Sequence, residues 1–239
     1  MTRRAPQLCV ALDGSDRRWL LDTAHALAGV AGWLKIGLEA FTAHGPELVR
    51  EISRLGTPIF LDLKLHDIPA TVRRAAANAA KCGASMMTVH AGGGREMLEA
   101  AVEGANSVGL RPAPMVVAVT LLTSLDRQTL DSLGLPGDPG SLVLRWARLA
   151  TASGVDGVVA SPREVAALRT GCGDELVVVT PGIRPAGAAA DDQRRTATPA
   201  AAVRAGADIL VVGRPITGSA DPVAQGRAIA AEIEAARSE

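Results

Sequence analysis

The sequence predicts an α/β fold, a single (β/α)8 barrel of the TIM-barrel type, on three observations. Eight short apolar runs alternate with longer, often alanine-rich segments, the order expected of strands that are each followed by a helix. The runs are apolar almost throughout, as in a parallel sheet whose outer face is covered by helices. The length of 239 residues is usual for one such barrel. An open, doubly wound sheet is the alternative that this pattern leaves.

The predicted strands can be placed one by one along the chain. In order they are residues 8–12, 33–36, 58–62, 85–90, 115–120, 155–160, 176–180 and 209–213. Glycine-containing breaks separate the units. The segments between the strands are long enough for helices, for example at 70–81, 96–107 and 142–152. No linker or low-complexity segment divides the chain, so we expect one domain over residues 1–239.

Composition argues against several classes of function. Lys plus Arg and Asp plus Glu both number 25, so the net charge is zero and no nucleic-acid-binding surface is expected. Aromatic residues make up 2%, with no tyrosine, which leaves little for a platform that stacks bases. Cys9, Cys82 and Cys172 form no CxxC pair, so we expect neither disulfides nor a zinc site. Without a membrane-spanning apolar run or a signal peptide, we expect no membrane contact and a cytoplasmic location.

Polar residues gather where the predicted strands end. Those capable of chemistry at or just past a carboxyl end are Asp13, Lys35, Asp62 with Lys64, His90, Thr120 and Arg214. One such residue alone would often cap the following helix. Barrel enzymes build their sites at this face, so the accumulation predicts an active site there. His90 has no partner at metal-ligand spacing, so we expect a structural histidine and no metal site.

The strongest local signal is the stretch 60–71, with the sequence FLDLKLHDIPAT. In an extended strand Asp62 and Lys64 point to the same side, because side chains alternate with a period of two. Asp67 lies in the loop beyond, before Pro69 opens a helix. Asp62, Lys64 and Asp67 thus form an acid–base–acid set, in which opposite charges pair. Each charge would be energetically costly if it were buried alone in a dry pocket. A buried ion pair that merely fixes the loop is the alternative. The surplus of negative charge invites a second cation, and Lys35 is available.

A second signal is a pair of loops suited to an anion. PGIRP at 181–185 and GRPIT at 213–217 follow the last two predicted strands, where barrels bind phosphate. Gly213 lets the backbone approach an anion, and Arg214 supplies forked, charged donors. Gln193, in the long loop between these strands, can add a neutral donor. Solvated surface arginines are the alternative reading of Arg184 and Arg214.

With these residues in place, the chain resembles the orotidine 5′-phosphate decarboxylase family from about Cys9 to Thr217. The matching pieces are the Asp-x-Lys-x-x-Asp signature at Asp62, Lys64 and Asp67, and the motifs VALD at 10–13, LKIG at 34–37, LTS at 122–124, TPGIR at 180–184 and VGRPIT at 212–217. The signature alone is shared with metal-dependent sugar-phosphate enzymes. Its combination with HDIP at 66–69 and with the PGIR loop is much more specific.

The resemblance implies a role for each matching residue. Lys64 would be the proton donor to carbon 6 of the pyrimidine, in a charged network with Lys35, Asp62 and Asp67. Asp67 and Thr71 would reach into the site of a partner subunit, which implies a homodimer with shared active sites. The remaining contacts to the small-molecule substrate would be Asp13 and Lys35 to the ribose, Thr123 and Ser124 to the pyrimidine, and Pro181, Arg184, Gln193, Gly213 and Arg214 to the 5′-phosphate.

The chemistry implied by the resemblance needs fixed charge in place of a cofactor. Loss of CO2 from orotidylate leaves negative charge on a ring carbon without an electron sink, and no cofactor motif is present in the sequence. A positioned ammonium group can stabilise that charge, and phosphate binding can drive closure of the loop at 185–198. Two rivals remain: a magnesium-dependent sugar-phosphate lyase of the same superfamily and a non-catalytic barrel that binds a phosphate ligand. The lyase would need a further acidic metal ligand after an early strand and would lack a loop that reads a pyrimidine. The non-catalytic barrel would not need Lys64 between two acidic residues.

Overall fold

The fold is described by a computed structural model over residues 5–135, 137–185 and 196–238. In these ranges the strands are β1 (Gln7–Leu12), β2 (Trp33–Gly37), β3 (Ile59–Leu65), β4 (Ala84–His90), β5 (Met115–Val119), β6 (Gly157–Val159), β7 (Val177–Thr180) and β8 (Ile209–Val212). The helices are α1 (Arg17–Leu27), α2 (Leu38–Ser53), α3 (Pro69–Lys81), α4 (Gly94–Asn106), α5 (Arg127–Ser132), α6 (Pro139–Ala152), α7 (Val165–Cys172), α8 (Pro199–Ala205), α9 (Arg214–Thr217) and α10 (Pro222–Arg237).

The eight strands form a closed barrel in sequence order, and every neighbouring pair is parallel. The barrel closes where β1 meets β8, with Gln7 paired to Ile209. The predicted (β/α)8 barrel is therefore confirmed, and the open sheet is excluded. Six strands keep their predicted bounds to within one residue at each end. The two larger differences are that β3 continues to Leu65 and that β6 is only three residues long.

Two buried layers explain why the strands are apolar rather than alternating. Cys9 and Ala11 of β1 belong to a cluster inside the barrel, which Phe60 and Met86 help to fill. Alternate residues of the same strand, such as Val10, pack instead against the surrounding helices. Because both faces of each strand are covered, polar side chains are concentrated at the strand ends.

A charged contact near the amino ends of β7 and β8 holds those strands and α7 together. Asp208 is almost fully buried, and its Oδ2 accepts the Val178 main-chain N–H at 2.7 Å and pairs with the Arg169 guanidinium. Arg169 also donates to the Leu176 carbonyl at 2.6 Å. This anchor fixes the two strands whose far ends carry the predicted anion site. Among the helices described, none has the length and apolar character needed to cross a membrane.

Candidate active site

A cavity of about 600 Å³ opens at the carboxyl ends of the strands. The sequence-predicted residues that line it are Asp13, Lys35, Asp62, Lys64, Thr123, Pro181, Arg184, Gly213 and Arg214. Its remaining wall is largely apolar, with Val119, Val159 and Ile183 among the contributors. The cavity therefore joins the acid–base stretch and the anion loops into one site, with a largely apolar wall between them.

Four charged side chains alternate in sign along one side of this cavity. Lys35 Nζ lies 2.9 Å from Asp13 Oδ1 and 3.8 Å from Asp62 Oδ2. Lys64 Nζ lies 2.9 Å from Asp62 Oδ1. Asp62 and Lys64 thus share one side of β3, as the period-two argument predicts, and Lys35 supplies the expected second cation. Within one chain the four-membered network contains Asp13 in place of Asp67.

The Lys35 ammonium is a buried charged group, with only 8% of the residue exposed. Burial acts to lower the pKa of Lys35, but the carboxylates of Asp13 and Asp62 outweigh it and raise that pKa above the ordinary lysine value of 10.5. Lys35 therefore remains a cation at neutral pH. Its environment suits electrostatic stabilisation and opposes release of its proton.

Lys64 projects from an irregular part of β3. The pairing with β4 shifts between Leu61, opposite Met87, and Leu65, opposite Val89, so β3 has extra residues in this interval. Lys64 has a φ of 51°, in the left-handed region, which costs a non-glycine residue about 1–2 kcal/mol. Backbone strain of this kind is often found at functional sites. Lys64, which lines the cavity, is also less buried than Lys35, with 32% of its side chain exposed against 11% for Lys35.

Thr88 of β4 supports this irregular segment and was not singled out in the sequence. Its hydroxyl accepts the Lys64 main-chain N–H at 2.8 Å and donates to Asp62 Oδ1 at 3.0 Å. The residue is 1% exposed. The sequence signal available was a hydroxyl among the buried apolar residues Met86, Met87 and Val89 of this strand.

Two further cavity features were also missed. A Cβ at Gly37 would lie 3.0 Å from both Asp13 Oδ1 and Lys35 Nζ, so a side chain there would press on the ion pair. Glu39, in the first turn of α2, lines the cavity, and its Oε1 accepts a hydrogen bond from the Ser15 hydroxyl at 2.9 Å. Gly37 is the last residue of the LKIG motif and of β2, and Glu39 lies two residues further on, so only their position at the end of β2 could have indicated them.

The anion loops reach the same cavity from β7 and β8. Arg184 is largely buried, and Arg214 begins the short helix α9. A Cβ at Gly213 would meet Ala11 at 3.6 Å and Asp13 at 3.9 Å, which are ordinary contacts. A Cβ at 213 would therefore meet no close contact, and the space that glycine leaves opens into the cavity. Gln193, predicted to join this group, lies outside the described residues.

Three predicted residues do not line the cavity of their own chain. Asp67 is exposed, and its Oδ1 accepts the Ile68 main-chain N–H at 2.6 Å. Thr71 lies in the first turn of α3, and Ser124 is exposed just beyond Thr123. For Asp67 and Thr71 this placement is compatible with a role in another subunit, whereas Ser124 would need a rearrangement of its loop.

His90 lies beside the site and does not line the cavity. Its ring stacks on His66 with 5.1 Å between centroids and meets the edge of Trp146 at 5.9 Å. Its Nδ1 accepts the Gly92 main-chain N–H at 3.1 Å. Burial, with the charges of His66 and Lys64, lowers the pKa of His90. A neutral imidazole that accepts from the backbone fits the expected structural histidine.

The chain is similar to enzymes of one family over nearly its whole length. The model of the orotidine 5′-phosphate decarboxylase / HUMPS family matches residues 6–229. An orotidine 5′-phosphate decarboxylase of Anaeromyxobacter sp. (strain K) is 55% identical over 227 residues, covering 95% of this chain and 98% of that protein. One from Moorella thermoacetica is 51% identical, covering 95% and 92%. The crystal structure of orotidine 5′-phosphate decarboxylase from Lactobacillus acidophilus has a TM-score of 0.83 at 37% identity, covering 97% and 99%.

Proposed function

Because the chain belongs to the orotidine 5′-phosphate decarboxylase / HUMPS family, we propose that it converts orotidine 5′-phosphate to uridine 5′-phosphate and CO2, the last step of de novo UMP synthesis. The observation that carries this proposal is the alternation of Lys35, Asp62 and Lys64 at the cavity wall. The direct test is the formation of both products by the purified protein.

Lys64 is the proton donor in this reaction. The bond between carbon 6 and the carboxylate breaks, CO2 leaves, and the electron pair stays on carbon 6. The Lys64 ammonium faces that developing charge and then gives carbon 6 a proton, after which its amine is reprotonated from water. Asp62 holds the ammonium in place at 2.9 Å, so little reorganisation accompanies the charge transfer.

Lys35 and Asp13 position the reacting groups and bind the substrate. Lys35 is a fixed cation that pairs with the Asp62 carboxylate beside the departing carboxylate. Asp13, with 55% of its side chain exposed, offers oxygen atoms to the ribose hydroxyls while it pairs with Lys35. Both residues therefore combine substrate contact with support of the reacting pair.

The two ends of the substrate are held by different loops. Thr123, with Ser124 after movement of its loop, reads the pyrimidine edge. Pro181, Arg184, Gly213 and Arg214 surround the phosphate, and Gln193 adds a neutral donor. Closure of the loop at 185–198, driven by phosphate binding energy, remains an expectation from the sequence, because residues 186–195 lie outside the described residues.

The active unit in this proposal is a homodimer. Asp67 and Thr71 lie outside the cavity of their own chain, in the segment that leaves β3 and enters α3. Ile68, between them, is 67% exposed, an unusual exposure for a large apolar side chain. A partner subunit that covers Ile68 would bury apolar area and bring Asp67 towards the partner's Lys64.

The charges of this site disfavour the magnesium-dependent lyase. Oδ1 of Asp62 accepts from Lys64 and Thr88, and its Oδ2 faces Lys35. The β2 side chain that reaches Asp62 is thus Lys35, whose positive charge repels a divalent cation. Glu39 supplies a further carboxylate to the cavity. In the described parts of the chain, however, no group of three or more His, Cys, Asp or Glu residues is arranged to hold a metal ion. A non-catalytic barrel that only binds a phosphate ligand would give no reason for the strained main chain of Lys64.

Arg214→Ala is expected to weaken the grip on phosphate far more than it changes the fold. A hydrogen bond to a charged group contributes about 1.5–3 kcal/mol, so kcat/KM for orotidine 5′-phosphate should fall by about 10- to 150-fold. Orotidine, which lacks the phosphate, should be affected much less. The measurement is kcat/KM on both substrates, with Arg227→Ala, an exposed arginine of α10, as the matched control. Equal losses on the two substrates would show that Arg214 is not a phosphate ligand.

A further inference from the structure

The main chain at Lys64 leaves the regular pairing between β3 and β4. From Leu61 to Leu65 the chain of β3 advances four residues, while its partner β4 advances two, from Met87 to Val89. Lys64 adopts a φ of 51° inside this bulge. A lysine is not held in such a conformation by its own preference, so neighbouring groups must stabilise it.

The Thr88 hydroxyl lies opposite the bulge and bonds to both sides of it. It accepts the Lys64 main-chain N–H at 2.8 Å and donates to Asp62 Oδ1 at 3.0 Å. The same Asp62 oxygen accepts from Lys64 Nζ at 2.9 Å. The contacts therefore form a closed ring that begins at the main-chain nitrogen of Lys64 and ends at its side-chain nitrogen.

The direction of these bonds is fixed by the chemistry of the groups. An ionised carboxylate only accepts and a main-chain N–H only donates, so the hydroxyl proton must point to Asp62 and a lone pair to Lys64. Thr88 is 1% exposed, so water cannot readily replace the hydroxyl if it is removed. Its branched Cβ also restricts rotation of the hydroxyl away from the bulge.

We propose that Thr88 is a positioning residue for the reaction, acting through Asp62 and Lys64 without touching the substrate. Its hydroxyl holds the strained main chain of Lys64 and the carboxylate of Asp62 in one arrangement, which presents the ammonium at a fixed place in the cavity. This inference rests on the proposed function for its catalytic consequence, while the geometric part concerns the chain alone.

The test compares Thr88→Val, which keeps the shape and removes the hydroxyl, with Thr88→Ser, which keeps the hydroxyl. Thr57→Val is the matched control, a buried threonine that precedes β3 at the opposite end of the strand. For Thr88→Val, kcat on orotidine 5′-phosphate should fall by about 10- to 100-fold, the range of a hydrogen bond to a charged group, with KM changed by less than about threefold. Thr88→Ser and Thr57→Val should stay within about threefold of the wild-type kcat.

A second measurement does not depend on activity. Amide hydrogen exchange at Lys64 should be faster in Thr88→Val than in the wild type, and Thr88→Ser should restore the slow exchange. Unchanged exchange in Thr88→Val overturns the inference, whatever the activity.

Two further results would also overturn the inference. They are a Thr88→Val kcat within about twofold of wild type, or a Thr88→Ser variant as slow as Thr88→Val. A wild-type protein that leaves orotidine 5′-phosphate unchanged contradicts the proposed function instead, and the exchange rates then decide the role of Thr88.

Discussion

Lys64→Ala is expected to lower kcat/KM for orotidine 5′-phosphate by about 10⁴-fold or more, the largest effect of any single substitution in this chain. The substitution removes a general acid and the cation that faces the developing charge, which typically contribute about 10²–10⁴-fold and 10²–10³-fold. Affinity for the product uridine 5′-phosphate should persist, because the residues that we propose as ribose and phosphate contacts lie elsewhere in the cavity.

The control for Lys64 is built into the sequence. The chain has three lysines, Lys35, Lys64 and Lys81, and the third is exposed at the end of α3. Lys81→Ala should be as active as the wild type. Lys64→Arg keeps the positive charge but cannot give up a proton near neutral pH, so it should remain almost inactive. A Lys64→Ala variant that keeps more than about a tenth of the wild-type kcat/KM would contradict the role of Lys64 as proton donor.

Mixing two inactive variants should restore activity, because we propose that each site takes Asp67 from the partner subunit. Lys64→Ala and Asp67→Ala chains should each be nearly inactive alone. In a mixed dimer one site carries both defects and the other carries neither. Random exchange makes half of the dimers mixed, so activity should approach about a quarter of wild type per total protein.

A second mixture provides the matched control for this experiment. Asp62 and Lys64 belong to one strand of one chain, so Lys64→Ala mixed with Asp62→Ala leaves every site defective and should stay inactive. Subunit exchange is followed by native mass spectrometry in both mixtures. If exchange occurs and the mixture of Lys64→Ala with Asp67→Ala stays inactive, Asp67 acts within its own chain and the shared site is wrong.

The barrel could be predicted from the sequence because its signal is local and repeated. Each strand is buried on both faces and is therefore an apolar run, and each run is followed by a segment that can form a helix. The carboxyl ends of parallel strands meet at one mouth, so Asp13, Lys35 and Arg214 could be assigned to one site without knowing the distances between them. The period-two argument also brought Asp62 and Lys64 together, although in the structure the pair meets at a bulge of β3 and not on a regular strand.

The finer geometry of the site depends on contacts between strands and was not predicted. The bulge of β3 arises from its pairing with β4, so neither the positive φ of Lys64 nor the bridging role of Thr88 is encoded in a local pattern. The close approach of Gly37 to the ion pair appears only when β1 and β2 are side by side. Strand β6 spans only Gly157–Val159, which is shorter than the apolar run at 155–160 from which it was predicted.

The most direct measurement is the conversion of orotidine 5′-phosphate by the purified protein in the presence of a chelator. The absorbance change of the pyrimidine is followed together with the release of CO2 and the appearance of uridine 5′-phosphate. The account predicts multiple turnovers with equal amounts of the two products and no further increase when magnesium is added in excess of the chelator. No turnover at all, or turnover that requires added magnesium, would contradict it, and the second outcome would favour the metal-dependent lyase.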